Sequence, residues 1–266
     1  MKPLVNPRSP LSGVGVLVTR PAHQAEPLCA LIEAAGGRAW RLPSLAIVDG
    51  PDSRAALAAL DDFDLAIFTS VNAVEKALTL RAPAAWPQRL RCAAVGGATA
   101  RALTGRGIHS ALRAPPPYDS EALLTLPALR QVAGQSIVII RGEGGREVLA
   151  DTLRARGARV DYREVYRRVR PEIDTGPIVQ AWQRGGITVV TATSAQGLQN
   201  LIAMLGTEGA VLLRATPLVV VNARMIQLAA ELGFLHPPLV AETASDEALV
   251  AALIAWRRAT TAGESE

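Results

Sequence analysis

The stretch from Gln135 to Pro171 constrains the fold more than any other part of the chain. It begins with a mostly apolar, β-branched run from Ser136 to Ile140, as a strand buried on both faces would. A glycine turn follows from Arg141 to Gly145, and residues of high helix propensity then run from Arg146 to Arg156. The last part is extended and rich in arginine. The stretch therefore predicts a strand, a glycine turn, a helix, and then a long strand or linker that contains Tyr166.

The same alternation of strand and helix continues along the rest of the chain. The pattern predicts strands at Gly15–Thr19, Leu65–Phe68, Cys92–Val95, Thr188–Ala192, Leu218–Val221 and Leu239–Ala241. It predicts helices at Ala22–Ala35, Ser53–Leu60, Thr69–Leu80, Ala98–Leu103, Ile178–Arg184, Thr193–Leu205, Ala223–Leu232 and Asp246–Arg257. Strands that alternate with helices are typical of doubly wound parallel sheets. We therefore predict an α/β fold.

Several sequence blocks occur twice in the same order. Arg20–Gly36 returns as Arg141–Gly157, Thr69-Ser70 as Thr193-Ser194, Val95 as Val221, and Ser120–Leu123 as Asp246–Leu249. An internal repeat of this kind predicts two similar α/β domains, and the repeat alone would divide the chain near Gly134. Two such domains that face each other would form a cleft, which is the usual place for a ligand.

Composition and charge narrow the classes of partner. A chain of 266 residues has room for one large or two ordinary domains, and 49% hydrophobic with 20% charged residues is a globular composition. The net charge of +4 comes mostly from arginine, since Lys2 and Lys76 are the lysines. Arginine suits planar carboxylates and phosphates, although a genome-wide bias toward arginine explains the same counts. Without a basic tail or a lysine-rich run, no nucleic-acid partner is expected.

The N-terminus and the cysteines predict a cytoplasmic protein. MKPLVNPRSPLSG contains several prolines and no apolar core, unlike a secretory signal peptide. No stretch approaches the length of a transmembrane helix, so no membrane partner is expected. Cys29 and Cys92 are far apart and belong to no CxxC motif, which indicates buried thiols in a reducing compartment.

The loops after the predicted strands contain groups that can bind anions. In open α/β sheets, ligands bind beyond the carboxyl ends of the strands. The loops there contain Arg20, Thr69-Ser70, Gly97, Thr99, Arg141-Gly142, Thr193-Ser194 and Asn222-Ala223. Free N–H groups at helix N-termini, together with small hydroxyl side chains, favour anions. Any single Ser or Thr here is also explained as a helix N-cap, but the matching set favours a polyanionic ligand.

Motifs for metals and cofactors are missing from the sequence. His23, His109 and His236 are scattered without a spacing that would bind a metal. The sequence has no Walker A, GxSxG or HExxH motif, and the turn after Gly142 lacks the third glycine of a dinucleotide fingerprint. We therefore expect no metal, nucleotide or flavin. An enzyme of this kind would work with shape, backbone amides, hydroxyls and an acid.

Several motifs resemble those of uroporphyrinogen-III synthase. They are VLVTRP at 16–21, FTSVNAV at 68–74, AVGGATARAL at 94–103, SEALL at 120–124, GREVLADTLRARGARV with EVYRR at 145–168, TSAQGLQNL at 193–201 and SDEALVAAL at 245–253. Their order and spacing extend from about Gly13 to Trp256. The chain departs from the family at Asn222-Ala223-Arg224, where a small hydroxyl residue is expected, so the ligand contact of that loop stays open.

The resemblance implies an enzyme of heme and cobalamin biosynthesis, a cyclising hydro-lyase that uses no cofactor. Such enzymes convert the linear tetrapyrrole hydroxymethylbilane into uroporphyrinogen III, with loss of water and inversion of the last pyrrole ring. Loss of the hydroxyl gives an azafulvene, and the terminal ring turns over through a spiro intermediate. Unassisted closure gives the uninverted isomer I, so the protein must hold a folded substrate conformation. A non-catalytic tetrapyrrole-binding or regulatory relative and a two-domain solute-binding protein are the alternatives.

The resemblance also implies two flavodoxin-like domains joined by a two-stranded extended linker. One domain would comprise residues 1–40 with 172–266, and the other residues 50–160. Residues 41–49 and 161–171 would be the connecting strands. The implied partner protein is the preceding pathway enzyme, hydroxymethylbilane synthase, and we expect a monomer.

Individual residues can be matched to the family's site. Tyr166 of EVYRR matches the tyrosine that is the favoured proton donor to the leaving hydroxyl, and a tyrosine of pKa ~10 is protonated at neutral pH. Its ring could instead pack between the domains as a linker aromatic. The implied substrate-binding residues are Arg20, Thr69, Ser70, Gly97, Thr99, Arg141, Gly142, Thr193 and Ser194. We also expect Tyr162 and Tyr166 to share one strand face, because residues four apart in a strand point the same way.

Overall fold

The computed structural model describes residues 9–50, 57 and 59–263. The chain separates into two compact units. Unit 1 consists of Met1–Ala46 and Val169–Glu266, and unit 2 consists of Ile47–Arg168. Both boundaries lie within the segments that the sequence analysis treats as connecting strands. Within the described ranges, no helix is long and apolar enough to cross a membrane.

Unit 1 is built on a five-stranded sheet in which every strand pair is parallel. Numbered along the whole chain, its strands are β1 (Gly15–Val18), β2 (Arg38–Arg41), β9 (Val189–Ala192), β10 (Leu218–Val220) and β11 (Leu239–Val240). They lie side by side in the order β2-β1-β9-β10-β11. Counted within the unit, this order is 2-1-3-4-5, the order of flavodoxin-like sheets.

Helices cover both faces of the unit 1 sheet. They are α1 (Ala22–Ala34), α7 (Gly176–Gln183), α8 (Ala195–Ala215), α9 (Arg224–Glu231) and α10 (Asp246–Gly263). Val16 and Val18 of β1 belong to one hydrophobic cluster with residues of α1 and α10. Leu17 belongs to the other cluster, with residues of α7, α8 and α9. Alternate residues of a strand point to opposite faces, so a strand covered on both sides has to be a continuous apolar run.

Unit 2 has a six-stranded sheet. Its strands are β3 (Ala46–Asp49), β4 (Leu65–Phe68), β5 (Arg91–Ala94), β6 (Ser110–Arg113), β7 (Ser136–Gly142) and β8 (Arg159–Val169), in the order β3-β8-β7-β4-β5-β6. The pairs from β8 across to β6 are parallel. Its helices are α2 (Val71–Leu80), α3 (Gly97–Thr104), α4 (Ser120–Leu124), α5 (Pro127–Arg130) and α6 (Val148–Ala155).

The two sheets have the same strand order with a permuted chain. If counting starts at β7, the strands β8-β7-β4-β5-β6 of unit 2 also read 2-1-3-4-5. β7 then corresponds to β1, β4 to β9, and β5 to β10. These are the strands that precede the repeated sequence blocks at Arg20 and Arg141, Thr69 and Thr193, and Val95 and Val221. The prediction of a doubly wound α/β fold is therefore confirmed.

Several elements differ from the sequence prediction. β7 continues through Arg141 and Gly142, which were assigned to the glycine turn. α8 reaches Ala215 instead of Leu205 because the chain resumes a helix after Gly206, whose φ of 64° interrupts it. β6 and α5 were not predicted. The predicted helix Ser53–Leu60 lies mostly outside the described residues.

The expected orientation of the two tyrosines of β8 is wrong. β8 pairs with β7 in register up to Arg141 opposite Glu164, and the next pair is Gly142 opposite Tyr166. Val165 is therefore an extra residue, a β-bulge, and such a bulge changes which face the following side chains occupy. Tyr166 packs in the cluster on the α2 and α3 face of the sheet, whereas Tyr162 packs against the opposite cluster.

Candidate active site

The hydroxyl of Tyr166 lies at the end of the unit 2 sheet where α2 begins. Ser70 is the N-cap of α2, and its Oγ accepts a hydrogen bond from the backbone N–H of Ala73 at 3.2 Å. The same Oγ lies 3.1 Å from the Tyr166 hydroxyl oxygen. Tyr166 is only 1% exposed, while Ser70 is half-buried. The predicted N-cap and the predicted acid are therefore direct neighbours.

Gly142 provides the surface on which the ring of Tyr166 packs. A Cβ atom at Gly142 would lie 2.5 Å from the Tyr166 Cζ atom and 2.9 Å from its hydroxyl oxygen. Real side chains do not approach so closely, so this position of β7 requires glycine while Tyr166 keeps this orientation. The backbone N–H of Glu143 also donates to the Tyr166 carbonyl at 2.7 Å. Gly142 thus fixes the tyrosine ring.

Arg168 covers the outer side of the same hydroxyl. Its Nη2 donates to the Tyr166 hydroxyl oxygen at 3.0 Å, and its guanidinium carbon lies 5.3 Å from the ring centroid. Arg168 follows Tyr166 by two residues in β8, so both side chains point to the same face of the sheet. Arg168 itself is exposed. The sequence analysis did not single it out, although the period of two along a strand was a usable signal.

Arg141 lies on the opposite face of the sheet, inside a network of carboxylates. Its Nε and Nη2 donate to Glu164 at 3.1 and 3.0 Å, and Nη2 also donates to Glu147 at 3.0 Å. Its guanidinium carbon lies 3.6 Å from the ring centroid of Tyr162. Nη1 is buried without a hydrogen-bond partner among the described residues. This nitrogen lies beside Gly145 in the turn before α6.

Tyr162 completes this network through a short hydrogen bond to Glu147. Burial and that hydrogen bond raise the pKa of Tyr162 to about 12. The bond from Tyr162, helped by the bonds from Arg141, lowers the pKa of the Glu147 carboxyl below its usual value. Neither glutamate partner of Arg141 was recognised in the sequence. The contact with Glu164 depends on the register of β7 and β8, and the contact with Glu147 depends on the path of the turn before α6.

The remaining predicted residues of unit 2 lie at the same sheet edge. Thr69 follows β4, and its hydroxyl donates to the Ile140 carbonyl at 3.4 Å. Gly97 begins α3, whose first turn has no side-chain cap. Thr99 is buried in that turn, with its Oγ1 atom 3.9 Å from the position that a Cβ atom of Gly96 would occupy. α3 therefore offers uncapped backbone N–H groups beside Thr99.

Arg20 has the position in unit 1 that corresponds to the position of Arg141 in unit 2. Arg20 follows β1, forms an ion pair with Asp246 at the start of α10, and donates to the Ala244 carbonyl at 3.1 Å. Its Nε is buried without a hydrogen-bond partner in the described chain. Like Arg141, this arginine combines nitrogens that have partners with one that has none among the described residues.

Thr193 and Ser194 follow β9 at the same edge of the unit 1 sheet. Ser194 is the N-cap of α8, and its Oγ accepts from the backbone N–H of Gly197 at 3.0 Å. A Cβ atom at Gly197 would lie 2.9 Å from this oxygen, so the cap is closely packed. Ser70 and Ser194 therefore make the same cap in their two units, but the bonds found for Ser194 include no tyrosine.

Comparison with known proteins decides the family. The sequence profile described as uroporphyrinogen-III synthase HemD matches residues 26–251. Uroporphyrinogen-III synthase of Salmonella typhimurium is 37% identical over 249 residues, which cover 90% of this chain and 100% of the relative. The chain belongs to the uroporphyrinogen-III synthase family. The Escherichia coli enzyme is 35% identical over 247 residues, with the same coverage.

Solved structures of uroporphyrinogen-III synthases have the same fold as this family member. A mutant enzyme from Thermus thermophilus superposes with a TM-score of 0.61 at 22% identity, over 93% of this chain and 99% of that one. The Helicobacter pylori enzyme gives a TM-score of 0.62 at 14% identity, over 91% and 99%. At these identities the likeness supports the fold, and the closer sequence relatives carry the family assignment.

The described residues contain no group of three or more His, Cys, Asp or Glu side chains that could hold a metal ion. Three acidic side chains near the predicted site of this synthase-family chain form ion pairs with arginines: Glu147 and Glu164 with Arg141, and Asp246 with Arg20. Each of these carboxylates therefore has an arginine partner within the protein, and Glu147 and Glu164 share one guanidinium.

Proposed function

We propose that this chain is a uroporphyrinogen-III synthase, which closes hydroxymethylbilane to uroporphyrinogen III with loss of water and inversion of the last ring. The proposal is carried by the match to the Salmonella typhimurium enzyme over that enzyme's whole length. A relative of this identity and coverage shares the complete fold, not one module of it. The site residues described above supply the chemistry that this reaction needs.

In this proposal, Tyr166 is the source of the proton for the leaving hydroxyl. Its hydroxyl is held between Ser70 and Arg168, at 3.1 and 3.0 Å, and its ring rests on Gly142. A general acid of fixed geometry contributes about 10²–10⁴ to a rate. The guanidinium of Arg168 donates to the oxygen that becomes negative when the proton leaves, so it stabilises that charge.

The arginines in the two units bind substrate carboxylates in this proposal. Arg141 Nη1 and Arg20 Nε are buried nitrogens without hydrogen-bond partners among the described residues. Each belongs to a guanidinium whose other nitrogens are held by carboxylates or a carbonyl. Charge-assisted hydrogen bonds to acetate or propionate groups would satisfy them. Thr69, Gly97, Thr99, Thr193 and Ser194 add hydroxyls and backbone amides at the same sheet edges.

Incubation of the purified protein with enzymatically made hydroxymethylbilane tests this function. After oxidation to porphyrins, isomers I and III are separated and quantified. We expect isomer III to dominate, because unassisted closure gives isomer I. A Tyr118→Phe variant, which removes a tyrosine hydroxyl outside the site, should keep this outcome. A protein that leaves only isomer I would contradict the proposal.

We further propose that the protein acts as a cytoplasmic monomer and receives its substrate from hydroxymethylbilane synthase. Cys29 and Cys92, which are buried free thiols, support a reducing compartment. Sedimentation of the protein alone and mixed with that synthase tests the assembly. A stable oligomer of the free protein would contradict the proposed monomer. A mixture that shows neither association nor faster transfer of substrate would contradict the proposed partner.

A further inference from the structure

The position of the Tyr166 hydroxyl raises a question about how its proton reaches the substrate. A general acid must come within hydrogen-bond distance of the leaving group, or act through one intervening group. Tyr166 is 1% exposed, and its hydroxyl has Ser70 on one side and Arg168 on the other. A direct transfer would therefore require one of these neighbours to move away.

The chemistry of the two neighbours fixes the direction of the phenol proton. An arginine side chain has only donors, so Arg168 Nη2 donates to the phenol oxygen and cannot accept its proton. A buried hydroxyl needs an acceptor for its proton. Among the described residues, the acceptor found within hydrogen-bond distance of Tyr166 Oη is Ser70 Oγ, at 3.1 Å. The Tyr166 O–H group therefore points to Ser70.

The hydroxyl of Ser70 then keeps its own proton available for donation. A serine hydroxyl has two acceptor lone pairs and one O–H donor. Its Oγ accepts from the Ala73 N–H and from the Tyr166 hydroxyl, so both lone pairs are used. The bonds found in the described chain provide no acceptor for its own proton. Ser70 is half-buried whereas Tyr166 is buried, so Ser70 is the more accessible of the two hydroxyl residues.

We propose that Ser70 transfers the proton to the leaving hydroxyl and that Tyr166 replaces it. This inference rests on the proposed function and assigns Ser70 a catalytic role in place of simple substrate binding. Arg168 is the positioning residue on the other side of the phenol oxygen from Ser70, because its N–H group directs the phenol proton toward Ser70. The order of proton donation is Arg168 to Tyr166, Tyr166 to Ser70, and Ser70 to substrate.

The step balances without any further reactant. The Ser70 proton moves to the hydroxyl oxygen of the substrate, the C–O bond breaks with its electron pair on that oxygen, and water leaves. The Tyr166 proton moves to Ser70 Oγ at the same time, which leaves a phenolate beside the Arg168 guanidinium. Ring closure later releases one proton from the pyrrole α-carbon of the terminal ring that forms the new bond to the methylene carbon. That proton returns along the same path and restores Tyr166.

Substitutions at Ser70 separate the relay from the helix cap. Asn is as good an N-cap as Ser, but its amide cannot pass on a proton, so Ser70→Asn keeps the cap and removes the relay. Ser70→Thr keeps both. We expect kcat of Ser70→Asn to fall about 10²-fold with little change in KM, as for loss of a general acid, and Ser70→Thr to recover most of it. A carboxylate-binding role would instead raise KM at unchanged kcat.

A smaller substitution covers the case in which asparagine disturbs the fold. Ser70→Ala removes the relay and the cap together, and loss of the cap lowers the stability of the fold. Asp119→Ala removes a comparable cap in the same unit, since Asp119 accepts from the Ala122 N–H at 2.8 Å, and lies outside the relay. Asp119→Ala should lose similar stability and keep its kcat, whereas Ser70→Ala should lose about 10²-fold in kcat.

The decisive experiment is a double-mutant cycle with Tyr166→Phe. If Ser70 and Tyr166 act in one relay, Ser70→Asn combined with Tyr166→Phe should be no slower than the slower single variant. The kcat of the wild type should be measured in mixtures of H₂O and D₂O. It should depend on the deuterium fraction along a curve instead of a straight line, because two protons move in the same step. A double variant whose losses multiply, or a folded Ser70→Asn variant with wild-type kcat, overturns the relay. Formation of isomer III by the wild type would still support the proposed function.

Discussion

Gly142 and Tyr166 are in such close contact that a single methyl group at position 142 would lie 2.5 Å from the tyrosine ring. The two residues pair across β7 and β8 directly after the bulge at Val165. Because the bulge turns Tyr166 toward Ser70, the glycine and the bulge together place the hydroxyl at the sheet edge. The position of the proposed acid therefore depends on the backbone of two strands.

Gly142→Ala should consequently displace Tyr166. The ring or the strand must shift by about an ångström, and such overpacking costs about 1–3 kcal/mol. We expect a lower free energy of unfolding in urea and a kcat reduced toward that of Tyr166→Phe. Gly96→Ala is the matched stability control, since a Cβ atom there meets its nearest neighbour only at 3.9 Å. A Gly142→Ala variant with unchanged stability and kcat would show that the ring position is not critical.

Tyr166→Phe tests the proton source itself. The substitution removes one hydroxyl and keeps the ring on Gly142, so the fold should be nearly unchanged. We expect kcat to fall about 10²-fold, at the lower end for a general acid, because the leaving-group chemistry is intrinsically easy. Isomer III should remain the enzymatic product, while the slower enzyme lets more isomer I form unassisted. A well-folded variant with wild-type turnover would reduce Tyr166 to a packing residue.

Arg141→Lys tests the available guanidinium nitrogen. Lysine offers a point charge instead of a planar fork, so it cannot hold Glu147 and Glu164 and also bind a substrate carboxylate. We expect KM to rise about tenfold, the effect of one charge-assisted hydrogen bond, with a smaller change in kcat. Arg146→Lys is the matched control, because the Arg146 side chain is 70% exposed and pairs only with Glu121 among the ion pairs found. Equal KM values for both variants would contradict a binding role for Arg141.

The hydrogen bond between Tyr162 and Glu147 predicts how stability depends on pH. The pKa of Tyr162 is raised from 10.0 to about 12, so the folded protein holds this proton more tightly than the unfolded chain. Its contribution is complete below pH 10 and is lost as the pH rises from 10 to 12. Tyr162→Phe should therefore lose stability less steeply over this range, as measured by urea unfolding. Parallel curves for variant and wild type would contradict the assignment.

The sequence predicted the architecture well, because the alternation of strands with helices and the repeated sequence blocks can both be recognised without knowledge of tertiary contacts. The Arg20 and Arg141 blocks, each a strand followed by a helix, proved to hold equivalent places in the two sheets. β6 was missed because Ser110–Arg113 is a short edge strand without a clear apolar pattern. The second half of α8 was missed because Gly206 resembles a helix stop, yet the chain resumes a helix after it.

The geometry of the candidate site was harder to predict than its residues. Tyr166 and Ser70 were both chosen from motifs, but their contact joins β8 to the N-cap of α2, and the two residues are 96 positions apart in the chain. The alternation of side chains along β8 predicted the wrong sheet face for Tyr166, because a β-bulge at Val165 interrupts that alternation. Neither residue propensity nor motif spacing indicates this bulge in the sequence. The contacts of Arg141 with Glu164 and Glu147 could be identified only when the register of β7 and β8 and the path of the turn before α6 were known.

The dependence of the isomer ratio on protein concentration tests the central claim most directly. Hydroxymethylbilane is supplied at a fixed amount, the protein is varied, and the fractions of isomers I and III are measured after complete consumption. Unassisted closure competes at a constant rate, so a uroporphyrinogen-III synthase should move the product from isomer I toward nearly pure isomer III as its concentration rises. Tyr166→Phe should need about 10²-fold more protein for the same ratio. A product that stays isomer I at every concentration would contradict the account.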